Sequence, residues 1–232
     1  MKTIGLIGGM SWQSSLDYYR IINELTAQRL GDQHSAVCVL YSVDLDPILI
    51  YRDSGEWHKN TDILVEAIGK VEAAGADFTV ICSNTMHKTY EDIVARVGKP
   101  ILHITDVLAA DIKKRGYKKV GLLGTRFTLN EDFYKERLRR RHGIEVVIPS
   151  LEEDVQFVHD VIYYELDYAI LKPESRERYI RIIEDMEKAG AEAVILGCTE
   201  IQMLVQQEHT TVPLLDTTVL HAAAAVDLAL GN

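Results

Sequence analysis

Short runs of apolar residues alternate along this chain with longer segments in which apolar side chains recur at helical spacing. Residues 3–8, 37–43 and 78–82 are apolar runs bounded by turn residues, which is typical of buried strands. Asp44, Asp46 and Pro47 close the second of these runs as a predicted loop. Residues 56–74 place Ile63, Leu64, Ala67, Ile68 and Val71 on one helical face, which predicts an amphipathic helix. Strands that alternate with helices of this length predict α/β architecture, with parallel sheets flanked by helices.

The same pattern continues to the end of the chain. In the first half it also predicts a helix that Ser14 or Ser15 caps and that runs to about Leu30, then a helix after His87 that ends near Val97, and a strand over residues 100–104. In the second half it predicts strands over residues 119–125, 145–149, 193–197 and 214–216, and helices over residues 131–141, 155–166 and 174–189.

The second half repeats the first. Residues 3–9 resemble residues 119–125 at an offset of 116, residues 74–85 resemble 189–200 at an offset of 115, and residues 100–105 resemble 213–218 at an offset of 113. Three landmarks at nearly constant offset indicate a duplicated α/β unit, too long for the repeat of a solenoid. In this alignment Ser83 corresponds to Cys198, and Cys82 corresponds to Gly197.

The duplication predicts two pseudo-symmetric domains. We expect residues 1–104 with 211–232 to form the first domain and residues 105–210 to form the second, with the strand at residues 214–216 packing back onto the first. Ligands of parallel sheets bind beyond the carboxyl ends of the strands. We therefore expect the active site in the cleft between the two domains.

Composition and charge narrow the function classes. The formal net charge of −10 argues against nucleic acid or an anionic membrane as a partner. Three cysteines do not make a disulfide framework, and the first residues predict a strand instead of a signal peptide, so we expect a soluble cytoplasmic protein. The scattered histidines predict no metal site, and the glycines at residues 5–9 lack the spacing of a dinucleotide site.

Cys198 is the strongest candidate for a catalytic residue, because it follows a predicted strand at the point where a helix is expected to begin. Amides at a helix N-terminus lower the pKa of a thiol, so we expect a reactive Cys198, the alternative being a small buried hydrophobe. Cys82 and Ser83 face opposite ways because strand side chains alternate, which places Cys82 in the core and Ser83 at the site. Cys38 lies within a strand and is also read as core.

Other polar residues near the strand ends are candidates for substrate binding. Asn84 and Thr85 supply donors suited to a carboxylate. Arg52 is either a clamp on an anionic group or a solvated loop charge. His87 either polarises the site or makes a local hydrogen bond.

Several motifs together resemble the aspartate/glutamate racemase superfamily, and within it the L-aspartate/glutamate-specific amino-acid racemases. They are Gly8-Gly9-Met10-Ser11-Trp12, Gly55-Glu56-Trp57, Asn84-Thr85-Met86-His87-Lys88, Leu123-Gly124-Thr125-Arg126 and Gly197-Cys198-Thr199-Glu200. The resemblance covers essentially the whole chain. It implies a homodimer that racemises an acidic amino acid without a cofactor, by two groups on opposite faces of the α-carbon.

Carried over to this chain, the resemblance makes Cys198 and Ser83 the catalytic pair. It implies a substrate shell of Met10, Arg52, Ser83, Asn84, Thr85, Thr199 and Glu200. The usual family pair is two cysteines, so Ser83 is a departure that fits an L-biased enzyme, and the L-specific relative carries an uncharged glutamine where Arg52 stands. Two other readings stay open: a one-cysteine decarboxylase or cis–trans isomerase of a small dicarboxylate from the same superfamily, and a non-enzymatic amino-acid sensor.

Overall fold

The computed structural model describes residues 1–131 and 133–231 in full, together with the backbone of Asp132. The strands are β1 (Ile4–Gly8), β2 (Cys38–Ser42), β3 (Phe78–Ile81), β4 (Ile101–Leu102), β5 (Lys119–Leu123), β6 (Glu145–Val147), β7 (Val194–Leu196) and β8 (Leu214–Asp216). The helices are α1 (Trp12–Leu30), α2 (Leu45–Asp53), α3 (Trp57–Ala73), α4 (Tyr90–Val94), α5 (Ile104–Lys114), α6 (Arg126–Asn130), α7 (Asp132–His142), α8 (Glu152–Tyr164), α9 (Pro173–Lys188), α10 (Ile201–Leu204) and α11 (Thr217–Leu230). Short 3₁₀ helices span Thr85–Thr89, Leu166–Tyr168 and Gln207–His209.

The chain divides into two units that share one topology. Unit 1 comprises residues 1–107 and 218–232, and unit 2 comprises residues 108–217. The sheet of unit 1 has the order β2-β1-β3-β4, and the sheet of unit 2 has the order β6-β5-β7-β8, with every pairing parallel. The predicted fold class of two related parallel sheets flanked by helices is therefore confirmed.

The backbone register places the two strand ends at equivalent positions. In unit 1 the amide of Cys82 donates to the carbonyl of Ile7 at 2.9 Å. In unit 2 the amide of Gly197 donates to the carbonyl of Leu123 at 2.7 Å. Since Ile7 and Leu123 are themselves equivalent in the central strands β1 and β5, the next residues, Ser83 and Cys198, occupy the same place in the two sheets.

The position of the strand at residues 214–216 differs from the prediction. We expected it to pack onto the first domain, but Val194, Ile195 and Leu196 pair with it as β8 in the sheet of unit 2. The segment that returns to unit 1 is α11, whose Ala222, Ala225, Val226 and Ala229 are buried against β1 and α1. The division of the chain correspondingly falls at residues 107/108 and 217/218 instead of 104/105 and 210/211.

Two local features of unit 1 also differ from the sequence pattern. The N-cap of α1 is Ser11, whose hydroxyl accepts from the amide of Ser14 at 3.3 Å, so neither Ser14 nor Ser15 caps the helix. The acidic segment after β2 begins α2 instead of a loop, with the carboxylate of Asp44 accepting from the amide of Asp46. A proline in the first helical turn is tolerated because its missing N–H has no partner there.

Each unit has its own apolar core. In unit 2 the core lies between the sheet and α8 and α9. In unit 1, α3 covers one face of the sheet, while α1 and α11 cover the other. Among the residues that the structure describes, no helix is both long enough and apolar enough to cross a membrane.

A fully buried histidine, His221 of α11, is held between two elements of unit 1. Its Nε2 lies 3.0 Å from the carbonyl oxygen of Leu102, and its Nδ1 lies 2.9 Å from the hydroxyl of Tyr18. The carbonyl can only accept, so Nε2 carries the proton and Nδ1 accepts from Tyr18. Burial, with a smaller repulsion from His87, lowers the pKa of His221 to about 3.

We expect this histidine to make unit 1 less stable in acid. Below the unfolded pKa of 6.5 the unfolded chain binds a proton that folded His221 takes up only near pH 3. The free energy of unfolding therefore decreases as the pH is lowered from about 6.5 to about 3, by up to about 1.4 kcal/mol per pH unit. Urea unfolding at pH 7, 6 and 5 tests this through tryptophan fluorescence, since Trp12 and Trp57 both lie in unit 1.

The matched variant is His221→Gln, whose amide nitrogen keeps the donor to Leu102 and does not titrate. We expect the free energy of unfolding of the wild-type protein to decrease more steeply with decreasing pH than that of the variant. The difference in slope should correspond to about one proton. Parallel pH dependences of the two proteins would contradict the assignment.

Candidate functional site

At the end of β3, two consecutive residues carry a buried thiol, that of Cys82, and a hydroxyl on a half-buried residue, Ser83. Cys82 is fully buried, its carbonyl accepts from the hydroxyl of Ser14 at 3.3 Å, and burial raises the pKa of its thiol far above the usual range. Ser83, the next residue, is half-buried. Cys82 therefore lies in the core, as predicted, and Cys38 is half-buried and packs against the same core cluster.

Ser83 has no activating base among the described residues of unit 1. Within the described part of the chain its hydroxyl makes no hydrogen bond, whereas its backbone carbonyl accepts from Nδ1 of His87 at 2.7 Å. Asn84 is buried and Thr85 is half-buried in the turn that follows. The polar residues predicted after β3 thus stand together at its carboxyl end.

His87 makes the local hydrogen bond that was one of its two predicted roles. Its imidazole is buried beside those of His103, at a ring-centroid distance of 4.7 Å, and His221, at 5.9 Å. A cluster of three histidines behind the Ser83 strand end was not expected. Its outermost members, His87 and His221, are 134 residues apart along the sequence, and only the fold brings the three together.

The end of β7 presents a thiol paired with a carboxylate. The Sγ atom of half-buried Cys198 lies 2.9 Å from Oε2 of Glu200. The hydroxyl of Thr199 donates to the same oxygen at 2.7 Å. Glu200 is buried and accepts both contacts, so the hydrogen of the thiol points at a group that is able to take it.

The predicted net lowering of the pKa of Cys198 is wrong: a backbone hydrogen bond from Glu200 does lower this pKa, but larger effects outweigh it. Helix α10 has four residues and begins only at Ile201, and the pKa of Cys198 is raised well above its usual value. Burial is the largest cause, followed by the nearby negative charge of Glu200 and a hydrogen bond that Glu200 makes to the neutral thiol. The resting state is therefore a thiol instead of a thiolate.

Asp167 also belongs to the surroundings of Cys198, although no motif or spacing in the sequence pointed to it. It lies in the 3₁₀ helix at Leu166–Tyr168, and its charge also raises the pKa of Cys198. It precedes Cys198 by 31 residues and belongs to no motif. Together, Asp167 and Glu200 make the surroundings of the thiol electrostatically negative.

We expect Glu200→Gln to lower the pKa of Cys198. The variant removes the negative charge and supplies an amide donor to the sulfur, and both changes favour the thiolate. The measurement is the rate of alkylation by iodoacetamide as a function of pH, in a Cys38→Ser background, since Cys82 is buried. The apparent pKa should fall by at least about one unit. An unchanged or higher value would contradict the pairing of Glu200 with the thiol.

The remaining predicted substrate residues lie in unit 1. Arg52 is in the last turn of α2, where its Nε bonds Oδ1 of Asp53 at 2.8 Å. Its side chain is only 10% exposed, so it is not a solvated loop charge. Met10 packs against the core cluster that contains Ile7.

Gly9 lets the loop after β1 lie against the β2 strand end. Its φ is +90°, and a Cβ there would stand 2.1 Å from the carbonyl oxygen of Val43. Its amide donates to the hydroxyl of Ser15 at 2.8 Å. Glycine is required here because a side chain would meet the backbone of Val43.

Among the described side chains, those of residues 1–131 and 133–231, no group of three or more His, Cys, Asp or Glu is arranged to hold a metal ion. The candidate chemistry of the described chain therefore consists of a thiol–carboxylate pair in unit 2 and a hydroxyl at the equivalent place in unit 1.

Comparison with known proteins agrees with this α/β fold. The family model Asp/Glu/Hydantoin racemase matches residues 7–225. The chain belongs to the Asp/Glu/hydantoin racemase family.

Three relatives place the chain within this family. A Yersinia pestis protein, whose crystal structure is described as that of a candidate Asp/Glu racemase, is 46% identical with a TM-score of 0.94, covering 99% of this chain and 100% of the other. An aspartate racemase homologue from Pyrococcus horikoshii OT3 is 33% identical with a TM-score of 0.88, covering 99% and 100%. The broad specificity amino-acid racemase RacX of Bacillus subtilis is 22% identical over 235 residues, covering 96% of each chain.

Proposed function

We propose that the protein is a cofactor-independent racemase that interconverts L- and D-aspartate, glutamate or both. Cys198 acts on one face of the α-carbon and Ser83 acts on the other. The proposal includes no pyridoxal phosphate and no metal, a cytoplasmic homodimer, and a bias toward the L-enantiomer because a hydroxyl is the weaker of the two groups. The observation that carries it is the equivalence of Ser83 and Cys198 in two sheets of identical topology.

The Cys198–Glu200 pair supports proton abstraction on one face. Glu200 takes the thiol proton when substrate displaces water, which leaves a thiolate that removes the α-proton. A thiolate shielded from water is a stronger base than one in solution. The proton that leaves the substrate ends on sulfur, and the proton on Glu200 returns to solvent.

The Ser83 hydroxyl supplies the proton on the opposite face. Its O–H bond breaks as the new C–H bond forms, and the alkoxide recovers a proton from solvent. The intermediate carbanion requires donors placed before the reaction begins, and we assign Asn84, Thr85 and Thr199 to this role. Run in reverse, the same steps convert the other enantiomer.

The charges of the two strand ends support an acidic amino acid as the substrate. The carboxylate of Asp167 is suited to the α-ammonium group throughout the reaction, and that of Glu200 is suited to it before it takes the thiol proton. Arg52 is suited to a carboxylate, which would replace the one that Asp53 now supplies. Met10 completes the proposed substrate shell as an apolar contact.

A second candidate function has one observation in its favour. The hydroxyl of Ser83 has no hydrogen-bonded base among the described residues, and serine is a poor proton donor and acceptor without one. In this alternative Ser83 only binds, and Cys198 alone serves a decarboxylase or a cis–trans isomerase of a small dicarboxylate.

The test incubates dialysed protein with each pure enantiomer of aspartate and glutamate, followed by chiral chromatography. The proposal predicts that the opposite enantiomer accumulates from at least one of the two amino acids without added cofactor. The absence of both inversion and exchange of the α-proton in D₂O would rule out the proposed racemase activity. Release of CO₂ from a substituted malonate, or conversion of maleate to fumarate, would favour the alternative, and binding without turnover would favour a sensor.

A further inference from the structure

The imidazole of His87 ties two segments of unit 1 together behind Ser83. Its Nδ1 lies 2.7 Å from the carbonyl oxygen of Ser83, and its Nε2 lies 3.3 Å from the amide nitrogen of Ile104, the first residue of α5. Only 3% of His87 is exposed. The turn that carries Ser83 is thus attached to the junction between β4 and α5.

The partners of His87 fix its tautomer. A carbonyl oxygen can only accept, so Nδ1 carries the proton and donates to Ser83. A backbone amide can only donate, so Nε2 is the acceptor for Ile104. Both ring nitrogens are used in a neutral imidazole, and each contact holds the ring in one orientation.

Neighbouring aromatic side chains restrict the ring further. The rings of His103 and His221 contact the ring of His87 at centroid distances of 4.7 and 5.9 Å. His221 is itself held by the hydroxyl of Tyr18 and the carbonyl of Leu102. A buried ring held by packing and hydrogen bonds loses little further entropy when it braces a loop.

Unit 2 braces its equivalent strand end by other means. The hydroxyl of Thr217 donates to the carbonyl of Leu196 at 2.9 Å, which joins the end of β7 to the start of α11. The counterpart of Thr217 in unit 1 is Ile104, which has no side-chain donor, and the counterpart of His87 in unit 2 is Gln202. Each unit therefore ties its strand end to the next strand–helix junction, but unit 1 needs an imidazole to do so.

We propose that His87 is a positioning residue for Ser83, acting through the backbone carbonyl and not through contact with substrate. The inference rests on the proposed function of Ser83 as the second proton-transfer group. A hydroxyl without an activating base depends on placement, and an error of about 1 Å in the position of a reacting group costs about 10²-fold in rate.

Two amide variants separate the contacts of the ring. Nδ2 of asparagine and Nδ1 of histidine are both bonded to Cγ, so His87→Asn keeps a donor for Ser83. Nε2 of glutamine stands nearer the place of the imidazole Nε2, so His87→Gln fills the cavity better but loses the donor to Ser83. Tyr18→Phe is the matched control, since it removes a buried hydrogen bond from the same cluster without touching His87.

The readouts are inversion of substrate and, separately, exchange of the α-proton with D₂O on the enantiomer that Cys198 deprotonates. His87→Gln is expected to lower inversion by about 10²-fold while exchange with retention stays within about threefold. His87→Asn and Tyr18→Phe should lie within about tenfold of wild type. Equal losses of inversion and exchange would indicate a packing role and overturn the proposal. Faster inversion by His87→Gln than by His87→Asn would do the same.

Crystal structures of the two variants give a readout that does not depend on activity. Ser83 should be displaced by at least about 0.5 Å in His87→Gln and should keep its place in His87→Asn. Ser83 unmoved in His87→Gln would overturn the positioning role even in an active racemase. An inactive wild-type protein in which Ser83 moves as expected would instead overturn the proposed function alone.

Discussion

Cys198→Ala is expected to reduce inversion of either enantiomer by at least about 10³-fold, because every cycle passes through this thiol. General acid–base groups contribute about 10²–10⁴-fold, and no second thiol stands at the end of β7 to replace Cys198. The measurement is chiral chromatography with each pure enantiomer. Exchange of the α-proton in D₂O should disappear on the enantiomer that this thiol deprotonates.

Cys82→Ala is the matched control for loss of a thiol. Cys82 occupies the place of Gly197 in the other sheet, and its fully buried side chain faces the core. We expect this variant to keep its activity and to lose only stability. Activity lost in Cys82→Ala and kept in Ser83→Ala would show that the alignment of the two units is off by one residue.

Ser83→Ala is expected to separate exchange from inversion. Without the hydroxyl the second face has no proton donor, so inversion should fall by about 10²-fold or more. Cys198 still removes the α-proton and can return a deuteron to the same face. Exchange with retention on one enantiomer should therefore continue while inversion nearly stops.

Ser83→Cys tests the same position in the opposite sense. A thiol is a better acid and base than a hydroxyl near neutral pH, so we expect inversion to stay at or above the wild-type rate and the L bias to shrink. Full inversion activity in Ser83→Ala would contradict a catalytic role for this residue and would leave it as a binding group.

The duplication was predictable because the strands of a covered parallel sheet are continuous apolar runs, and three of them recur at nearly constant spacing. The place of β8 was not predictable, because its apolar residues suit either sheet. Pairing with β7 buries Leu215 fully and leaves α11, the longer apolar element, to cover β1 and α1. Asp44 and Pro47 were read as the end of a strand, but a capping carboxylate and an early proline are also how a helix begins.

At the candidate site the sequence identified residues but not their electrostatics. Cys198 and Glu200 are two positions apart, and only the folded turn brings the carboxylate to 2.9 Å from the sulfur. That contact raises the pKa of the thiol, whereas adjacency to a helix start suggested a lower one. The contributions of Asp167 and of the histidine cluster were missed because those side chains are distant in sequence.

The central claim is that two unlike groups at equivalent strand ends act on opposite faces of one carbon. The most direct test follows one enantiomer in D₂O during the first few per cent of conversion and records deuterium in substrate and product. The account predicts deuterium at the α-carbon of the inverted product, delivered by Ser83, and deuterium in the remaining substrate only as far as Cys198 returns a deuteron to the face from which it took the proton. A product that retains the substrate's own proton would contradict it, because one group would then have served both faces.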